Sequence, residues 1–325
     1  MSAGGGRKAR RGLHSLRSVR VPPAVFRIAA RQLSRRSLDP ALPWEVQRRR
    51  LDQLTRTAIL PRGTAVTDEV FGAVRADVVT VPAASPGALQ GSPGPRPTVI
   101  HFHGGGYCTG STRMARSWAA HLSAASGCRV ILPEYRLAPE HPYPAGLDDA
   151  RAVIEALTAD AKGGPVVISG DSAGGGLALA LILSLRDEGR ELPSGCILLS
   201  PWLDLARDRR AIPDLVRRDL LLTPEWLAAC ARAYAGSTPS TDPLVSPLGA
   251  AHGGLPPLLI QAGTDEMLAP DAELLAASAA GSGGDVTYSR WPRLWHDFAL
   301  QPGLLAAADS ALAQAAWFVG KVTAE

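Results

Sequence analysis

The sequence predicts an α/β fold with a mostly parallel sheet and helices on both faces. Seven short apolar runs, rich in β-branched residues, alternate with longer stretches that have the apolar spacing of helices. Parallel strands need crossover connections about as long as a helix, so this alternation is typical of a parallel sheet covered on both faces. Two segments break the alternation, residues 1–60 and residues 205–254.

The predicted elements follow one another in a regular order. Strands are expected at 76–81, 98–102, 129–132, 166–168, 196–199, 257–261 and 286–291. Helices are expected at 113–126, 147–161, 174–188, 270–281 and 304–322. The Pro-, Gly- and Ser-rich residues 82–97 indicate a hairpin loop.

The two irregular segments define the predicted domain organisation. Residues 1–60 are expected to form a basic N-terminal arm and part of a helical cap. Residues 61–325 form the predicted α/β domain, in which residues 205–254 are a cap insertion. That insertion has one helical pattern, at 223–234, among Pro-rich loops.

Positive charge is concentrated at the N-terminus. Residues 1–36 contain ten Lys or Arg and no Asp or Glu, whereas the rest of the chain has 24 basic and 30 acidic residues. A mobile solvated arm is the favoured interpretation, and the alternative is an amphipathic helix at 24–33 that makes weak contact with a membrane surface. The longest strongly apolar run, 177–185, is shorter than the roughly 20 residues that span a membrane.

Cysteine and asparagine usage favour the cytoplasm. The four cysteines show no CxxC pairing, so free thiols are expected at Cys108, Cys128, Cys196 and Cys230. The sequence contains no Asn, and therefore no N-glycosylation acceptor. We expect a cytoplasmic protein.

A strand-to-helix turn carries the candidate nucleophile. The segment SGDSAGGG at 169–176 joins one apolar run to the next. Gly170 and Gly174 flank Ser172 where a side chain would collide with neighbouring backbone, which is the G-x-S-x-G nucleophile elbow. This turn raises the Ser172 hydroxyl above the carboxyl end of the sheet, and the helix that begins at Ala173 points its amides toward developing negative charge.

A serine nucleophile needs a histidine base that a carboxylate orients. In hydrolases of this sheet type the three residues follow in the order Ser, acid, His. Asp265 begins the loop after the strand at 257–261 and is the predicted acid, with Glu266 and Asp271 as neighbouring alternatives. His296 follows the last strand and is the predicted base, because no other His comes after Asp265.

Three consecutive glycines follow the second predicted strand. Gly104, Gly105 and Gly106 come after His103, and their amides can approach a ligand closely. Together with the amide of Ala173 they are candidates for an oxyanion hole. The alternatives are a loop without a ligand and a phosphate cradle. Neither GK[ST] nor G-x-G-x-x-G with a later acidic residue is present, so nucleotide binding is disfavoured. No nucleic acid is expected as a partner.

No metal site is predicted. His101 and His103 alternate on a strand and therefore face opposite sides of the sheet. His252 is expected in an exposed loop and His121 on a helix surface. We expect neither a metal ion nor another cofactor.

Seven motifs in one order resemble a known family, the hormone-sensitive-lipase-like esterases of the α/β-hydrolase superfamily. They are HGGG at 103–106, EYRLAPEHPYPAGLDD at 134–149, GDSAGG at 170–175, SPWLDL at 200–205, DPLVSPL at 242–248, GTDEML at 263–268 and WHDF at 295–298. Several separate motifs in family order are a specific signal, and together they cover residues 98–298.

The resemblance implies an α/β-hydrolase fold with a helical cap and assigns a role to each motif. The implied catalytic triad is Ser172, Asp265 and His296. The implied oxyanion donors are the amides of Gly105, Gly106 and Ala173, and the supporting residues of the two motifs are His103, Gly104, Gly170, Asp171 and Gly174. The acid loop reads DEML where DPL is commoner, and the histidine loop reads HDF where HGF is commoner. Both departures add acidic charge near the site.

The predicted function is that of a serine carboxylesterase acting on short- to medium-chain acyl esters of a small alcohol. A deacetylase or acyltransferase acting on a specialised metabolite uses the same acyl-enzyme and stays open. A non-catalytic ligand-binding protein of this fold is disfavoured by the presence of both Ser172 and His296. The remaining alternative is a lipase that the basic arm guides to a membrane. Members of the family often dimerise, so a homodimer is also an open expectation.

Overall fold

One sheet forms the centre of the fold. The computed structural model describes residues 23–55, 59–82, 96–159 and 164–324. In these residues eight strands lie in the order β1-β2-β4-β3-β5-β6-β7-β8. The strands are β1 (Ala65–Phe71), β2 (Val74–Thr80), β3 (Thr98–Phe102), β4 (Arg129–Pro133), β5 (Val166–Asp171), β6 (Gly195–Leu199), β7 (Leu258–Gly263) and β8 (Val286–Trp291).

Nine α-helices accompany the sheet in the described ranges. They are α1 (Pro23–Ser37), α2 (Trp44–Thr55), α3 (Thr112–Ser126), α4 (Ala145–Thr158), α5 (Ser172–Asp187), α6 (Pro213–Arg218), α7 (Pro224–Ala235), α8 (Ala269–Gly281) and α9 (Ala306–Val322). In this part of the chain none of them is long and apolar enough to cross a membrane.

The sheet is parallel except at one edge. Strands β1 and β2 form an antiparallel hairpin, and β2 pairs antiparallel with β4. All later pairs are parallel. The register places Phe102 beside Gly170, and Asp171 beside Leu199. The carboxyl ends of β3, β5 and β6 are therefore adjacent, and the loops that leave them meet above the middle of the sheet.

Two apolar layers bury the faces of the sheet. Helices α3 and α9 cover one face, where Trp118 and Phe318 are fully buried. Helices α4, α5 and α8 cover the other, where Leu181 and Leu275 are buried. Complete burial of one such side chain contributes about 1.5–3 kcal/mol. The predicted α/β fold with helices on both faces is confirmed.

The edge strand β1 is the one strand of the described sheet that the sequence pattern did not predict. Its seven residues, AVTDEVF, are exposed except for the half-buried Phe71, so they carry no hydrophobic period. Helix α1 contains the helix predicted at 24–33. Most of the predicted hairpin loop at 82–97, and residues 1–22 of the predicted basic arm, lie outside the described residues. The predicted membrane contact of residues 1–36 stays a prediction.

Helix α2 is attached to the loops at the carboxyl end of the sheet. Arg48 donates hydrogen bonds to the Cys108 carbonyl at 2.8 Å and to both carboxylate oxygens of Glu140 at 2.7 and 2.9 Å. The amide oxygen of Gln47 accepts the Trp226 indole N–H of α7 at 2.9 Å. The N-terminal helices and the segment that contains α7 therefore contact each other.

Candidate active site

The turn between β5 and α5 has the geometry of a nucleophile elbow. Ser172 is the first residue of α5 and has φ 52°, in the left-handed region that side chains disfavour. A Cβ on Gly170 would lie 2.2 Å from the Gly174 carbonyl oxygen, and a Cβ on Gly174 would lie 2.0 Å from the Phe102 carbonyl oxygen. Only glycine fits these two positions, so the sharp turn and its contact with β3 depend on both.

The structure brings Ser172 and His296 together. His296 lies in the loop after β8, and its Nε2 is 2.9 Å from Ser172 Oγ. Both side chains are buried, with 5% and 2% exposure. This distance is within the range in which a histidine can accept a proton from a serine hydroxyl.

Backbone hydrogen bonds join the loop after β7 to the loop after β8. The amide of Thr264 donates to the Trp291 carbonyl at 3.0 Å, and the amide of Asp265 donates to the Leu294 carbonyl at 2.9 Å. A Cβ on Gly263 would lie 2.3 Å from the same Leu294 oxygen, so the loops approach closely. The backbone of residues 263–265 is thereby held next to the loop that carries His296.

Glu266 lies beside His296, and Asp265 does not. Glu266 Oε2 is 3.4 Å from His296 Nδ1, on the side of the ring opposite Ser172, and Glu266 is fully buried. The Asp265 carboxylate instead pairs with Arg27 at 3.2 Å and with Arg218 at 3.9 Å. The prediction of Asp265 as the acid is therefore corrected. Adjacent residues in this turn aim their carboxylates in different directions, and only Glu266 turns inward.

Asp271, the other alternative, is engaged elsewhere. Its carboxylate pairs with the guanidinium of Arg209 at 2.7 and 2.8 Å, and both groups are buried. It also accepts the amides of Leu203 and Asp204, each at 3.1 Å. This arrangement ties α8 to the segment after β6 and is structural.

Ser200 is a site residue that the sequence reasoning missed. Its hydroxyl donates to Glu266 Oε2 at 2.8 Å and accepts the Asp297 amide at 3.2 Å. Ser200 follows β6, the strand next to the nucleophile strand, and has φ 45°. The only signal for it in the sequence is its place at the start of SPWLDL.

The imidazole of His296 lies between two carboxyl groups. Glu266 faces Nδ1, and Asp297 Oδ2 is 3.1 Å from Nε2. Burial lowers the pKa of His296, but the carboxylates of Asp297 and Glu266 outweigh burial and hold the pKa well above its usual value. Burial also raises the pKa of Glu266, and it raises the pKa of Asp297 to about 7.

The glycine loop after β3 orients its amides through hydrogen bonds to its carbonyls. The Gly104 carbonyl is 2.8 Å from His103 Nδ1. The Gly105 carbonyl accepts the Thr109 amide at 2.9 Å and the Thr109 hydroxyl at 2.8 Å. Because a trans peptide points its N–H opposite its C=O, these bonds fix the directions of the Gly105 and Gly106 amides.

A hydrogen bond to the preceding carbonyl also orients the amide of Ala173 at the start of α5. The Ser172 carbonyl accepts the Trp202 amide at 2.9 Å, which fixes the amide of Ala173 in the opposite direction. As the second residue of a helix, Ala173 has an amide without an intrahelical partner. In the described residues no hydrogen bond uses the amide of Gly105 or Gly106. The structure thus brings together three oriented amides from two loops.

Asp171 joins these two loops. Its Oδ2 accepts the Gly104 amide at 3.0 Å, and its Oδ1 is 3.0 Å from His101 Nε2. His103 lies on the other side of the strand, stacked on Tyr135 with ring centroids 4.5 Å apart. Burial lowers the pKa of His103, which favours the neutral ring. A neutral ring whose Nδ1 faces the Gly104 carbonyl carries its proton on Nδ1.

Two other histidines were assigned from the sequence. His252 is buried rather than exposed. Its Nδ1 lies 2.8 Å from the Ser278 hydroxyl and its Nε2 lies 3.0 Å from the Pro247 carbonyl, so both ring nitrogens have partners. His121 is half-buried on α3, as expected.

Among the residues that the structure describes, no group of three or more His, Cys, Asp or Glu side chains is arranged to hold a metal ion. The four cysteines are free thiols and form no disulfide.

Comparison with known proteins identifies the family. The profile of a family described as alpha/beta hydrolase fold matches residues 99–300, which is more than half of the chain. The chain belongs to this α/β-hydrolase family. It is 38% identical to an acetyl-hydrolase of Streptomyces hygroscopicus over 230 residues, which are 70% of this chain and 76% of the relative. It is 36% identical to an esterase of Acinetobacter venetianus over 68% of this chain and 73% of the relative.

A solved structure agrees with this assignment. The crystal structure of an esterase from the bacterial hormone-sensitive lipase family covers 93% of this chain and all of that chain, with a TM-score of 0.83 and 28% identity. The predicted α/β-hydrolase fold and the predicted likeness to hormone-sensitive lipase are confirmed. The predicted enzyme class, carboxylic ester hydrolase, is confirmed as well.

Proposed function

We propose that this α/β-hydrolase is a serine carboxylesterase that cleaves short- to medium-chain acyl esters through an acyl-enzyme. In this proposal Ser172 is the nucleophile, His296 the base and Glu266 the acid. The observation that carries it is the 2.9 Å distance between Ser172 Oγ and His296 Nε2, with the buried Glu266 carboxylate on the opposite ring nitrogen.

The first half of the reaction forms the acyl-enzyme. Ser172 Oγ attacks the ester carbonyl carbon while His296 Nε2 takes the hydroxyl proton. Glu266 stabilises the resulting imidazolium from Nδ1 and holds the ring in one orientation. His296 then returns the proton to the leaving alcohol oxygen, and in the second half the same imidazole activates water to release the acid.

The oxyanion of each tetrahedral intermediate is assigned to the amides of Gly105, Gly106 and Ala173. Their directions are already fixed by hydrogen bonds to the preceding carbonyls. Donors that are oriented in advance need no reorganisation when charge develops, so they stabilise the transition state more than the ground state. No cofactor takes part in these steps.

Two cap segments are proposed to enclose the acyl part of the substrate. They are the N-terminal helices and residues 205–254, the latter containing α6 and α7. Gly106 packs against α7, because a Cβ on Gly106 would lie 2.6 Å from Cys230 Sγ and 2.7 Å from the Trp226 ring. With α7 this close to the proposed oxyanion donors, a small acyl group is favoured. The acetyl-hydrolase name of one relative favours the same choice.

The test is hydrolysis of p-nitrophenyl esters from acetate to palmitate by wild type and Ser172→Ala. We expect fast cleavage of the shorter esters and a loss of roughly 10⁶-fold in Ser172→Ala. Activity that rises toward palmitate would replace the esterase proposal with a lipase. No cleavage at any chain length by folded protein would remove the general esterase proposal and favour a deacetylase or acyltransferase with a narrow substrate.

A further inference from the structure

The carboxylate of Asp297 has unused hydrogen-bonding capacity beside the nucleophile. Its Oδ2 is 3.1 Å from His296 Nε2, the nitrogen that also lies 2.9 Å from Ser172 Oγ. Its Oδ1 is buried and has no hydrogen-bond partner among the described residues. An ionised carboxylate can accept about four hydrogen bonds, so the described residues leave part of the capacity of this group unused next to the reacting atoms.

Hydrogen bonds to the backbone hold Asp297 in this direction. Its amide donates to the Ser200 hydroxyl at 3.2 Å, and its carbonyl accepts the Gln301 side chain at 3.2 Å. Its φ of 57° is a left-handed conformation that Asp, Asn and Gly adopt most readily. The loop therefore fixes the backbone from which the carboxylate extends toward His296.

Carboxyl groups outnumber positive charges around the imidazole of His296. Glu266 faces Nδ1, and Asp297 faces Nε2. The buried Asp219, on the segment between α6 and α7, interacts electrostatically with His296, and Asp171 does so with Asp297. His296 itself supplies one positive charge when it is protonated, so the group as a whole favours an additional cation.

The two arginines that lie on the neighbouring acid loop do not supply that cation. Arg27 and Arg218 both lie on Asp265, and Arg27 also donates to the Arg293 carbonyl at 2.9 Å. Among the residues that the structure describes, no Lys or Arg forms an ion pair with Asp297. A carboxylate that is 16% exposed and lacks a Lys or Arg partner is stabilised further by a cation brought by a ligand.

The proposed reaction places the alcohol part of the ester near this carboxylate. His296 returns its proton from Nε2 to the leaving oxygen, so that oxygen must lie within hydrogen-bond reach of Nε2. Asp297 Oδ2 lies 3.1 Å from the same Nε2 atom. The acyl oxygen, in contrast, is directed to the amides of the glycine loop. Asp297 therefore faces the alcohol part and not the acyl part.

We propose that Asp297 is a specificity-determining residue that selects esters whose alcohol part carries a positive charge. This inference rests on the proposed esterase function and adds the chemistry of the alcohol to it. An alcohol part with a negative charge is disfavoured for the same reason.

A pair of esters of equal shape tests the selection. Acetylcholine and 3,3-dimethylbutyl acetate differ only in that a quaternary nitrogen replaces a quaternary carbon. At a pH well above 7, where Asp297 is ionised, we expect wild type to prefer acetylcholine by about fivefold in kcat/KM, the ratio expected for a partly exposed charge pair, and the preference to decrease as salt is added. In Asp297→Asn the preference should disappear, because the amide is neutral, nearly isosteric and compatible with a left-handed φ.

Two controls separate selection from structural damage. Asp297→Gly also suits the left-handed φ and should lose the preference as well. Asp214→Asn removes one negative charge from the exposed surface of α6 and should keep it. A preference that survives in Asp297→Asn, or wild type that cleaves p-nitrophenyl acetate without preferring acetylcholine, overturns the inference and leaves the proposed function standing. If folded wild type cleaves none of the three esters, the proposed function itself fails.

Discussion

The hydroxyl of Ser200 lies 2.8 Å from the carboxylate of Glu266 and holds it against His296. Because Ser200 Oγ also accepts the Asp297 amide, one side chain that follows β6 fixes both Glu266 and the loop that carries His296. Three parallel strands thus each supply one part of this arrangement at their carboxyl ends. The geometry depends on the strand order as much as on the residues themselves.

Removal of the Ser200 hydroxyl should slow turnover without loss of the fold. We expect Ser200→Ala to lower kcat about tenfold, since a hydrogen bond to a charged group contributes about 1.5–3 kcal/mol and part of it is recovered by relaxation. KM should change little because Ser200 does not face the substrate in the proposed mechanism. The matched control is Ser289→Ala, which removes a hydroxyl that donates to Gln314 away from the site. Unchanged kcat in Ser200→Ala would exclude this positioning role.

The two neighbouring carboxylates should differ sharply in their effect on activity. Glu266→Gln should reduce kcat/KM by roughly 10⁴-fold, because a neutral amide cannot stabilise the imidazolium and favours the wrong tautomer. Asp265→Asn should reduce it far less, since this carboxylate pairs with Arg27 and Arg218. Steady-state kinetics with p-nitrophenyl acetate compare the two. The reverse order of effects would restore Asp265 as the acid.

The pH dependence of kcat/KM should reflect the carboxyl groups around His296. The base must be neutral to accept the Ser172 proton, and its pKa is held well above its usual value. Activity should therefore rise with pH through a midpoint above 6.5. Asp297→Asn removes one of the groups that raise this pKa, so its midpoint should move to lower pH. A midpoint that moves up, or does not move, contradicts this account of the electrostatics.

Gly106 offers a direct test of the oxyanion loop. Gly106→Ala should lower kcat by about 10²- to 10³-fold, the cost of displacing one oxyanion donor, because the new methyl group meets Cys230 and Trp226. Gly189→Ala is the matched control, since Gly189 has nearly the same φ, 66° against 64°, with no atom within 4 Å of the added Cβ. Equal losses in the two variants would mean that backbone strain, and not the loop contact, causes the effect.

The buried pair of Asp271 and Arg209 should matter for stability. Asp271→Ala should cost about 3–5 kcal/mol in the free energy of unfolding, because it leaves a buried guanidinium without its partner. Urea unfolding measures this change. Asp208→Ala, which removes an exposed partner of Arg210, should leave the urea midpoint nearly unchanged. Similar midpoints for the two variants would contradict the assignment of Asp271 as a structural residue.

Sequence reasoning selected the two residues that the structure brings together, Ser172 and His296, because both have few alternatives. Ser172 lies in a turn that its glycines define, and His296 is the only histidine after Asp265. It selected Asp265 where the structure places Glu266 beside His296, since a sequence does not reveal which of two adjacent carboxylates turns inward in an irregular loop. Arg27, distant in sequence, engages Asp265. Ser200 was missed because its role exists only once β6 lies beside β5.

The left-handed backbone of Ser172 links activity to folding stability. A non-glycine residue in this conformation costs about 1–2 kcal/mol, and the structure gives Ser172 this conformation with φ 52°. Ser172→Gly would relieve that cost while it removes the nucleophile. Selection for thermal stability alone would therefore favour an inactive chain at this position. Among random variants, a gain in melting temperature at residue 172 would mark a loss of hydrolysis rather than an improved enzyme.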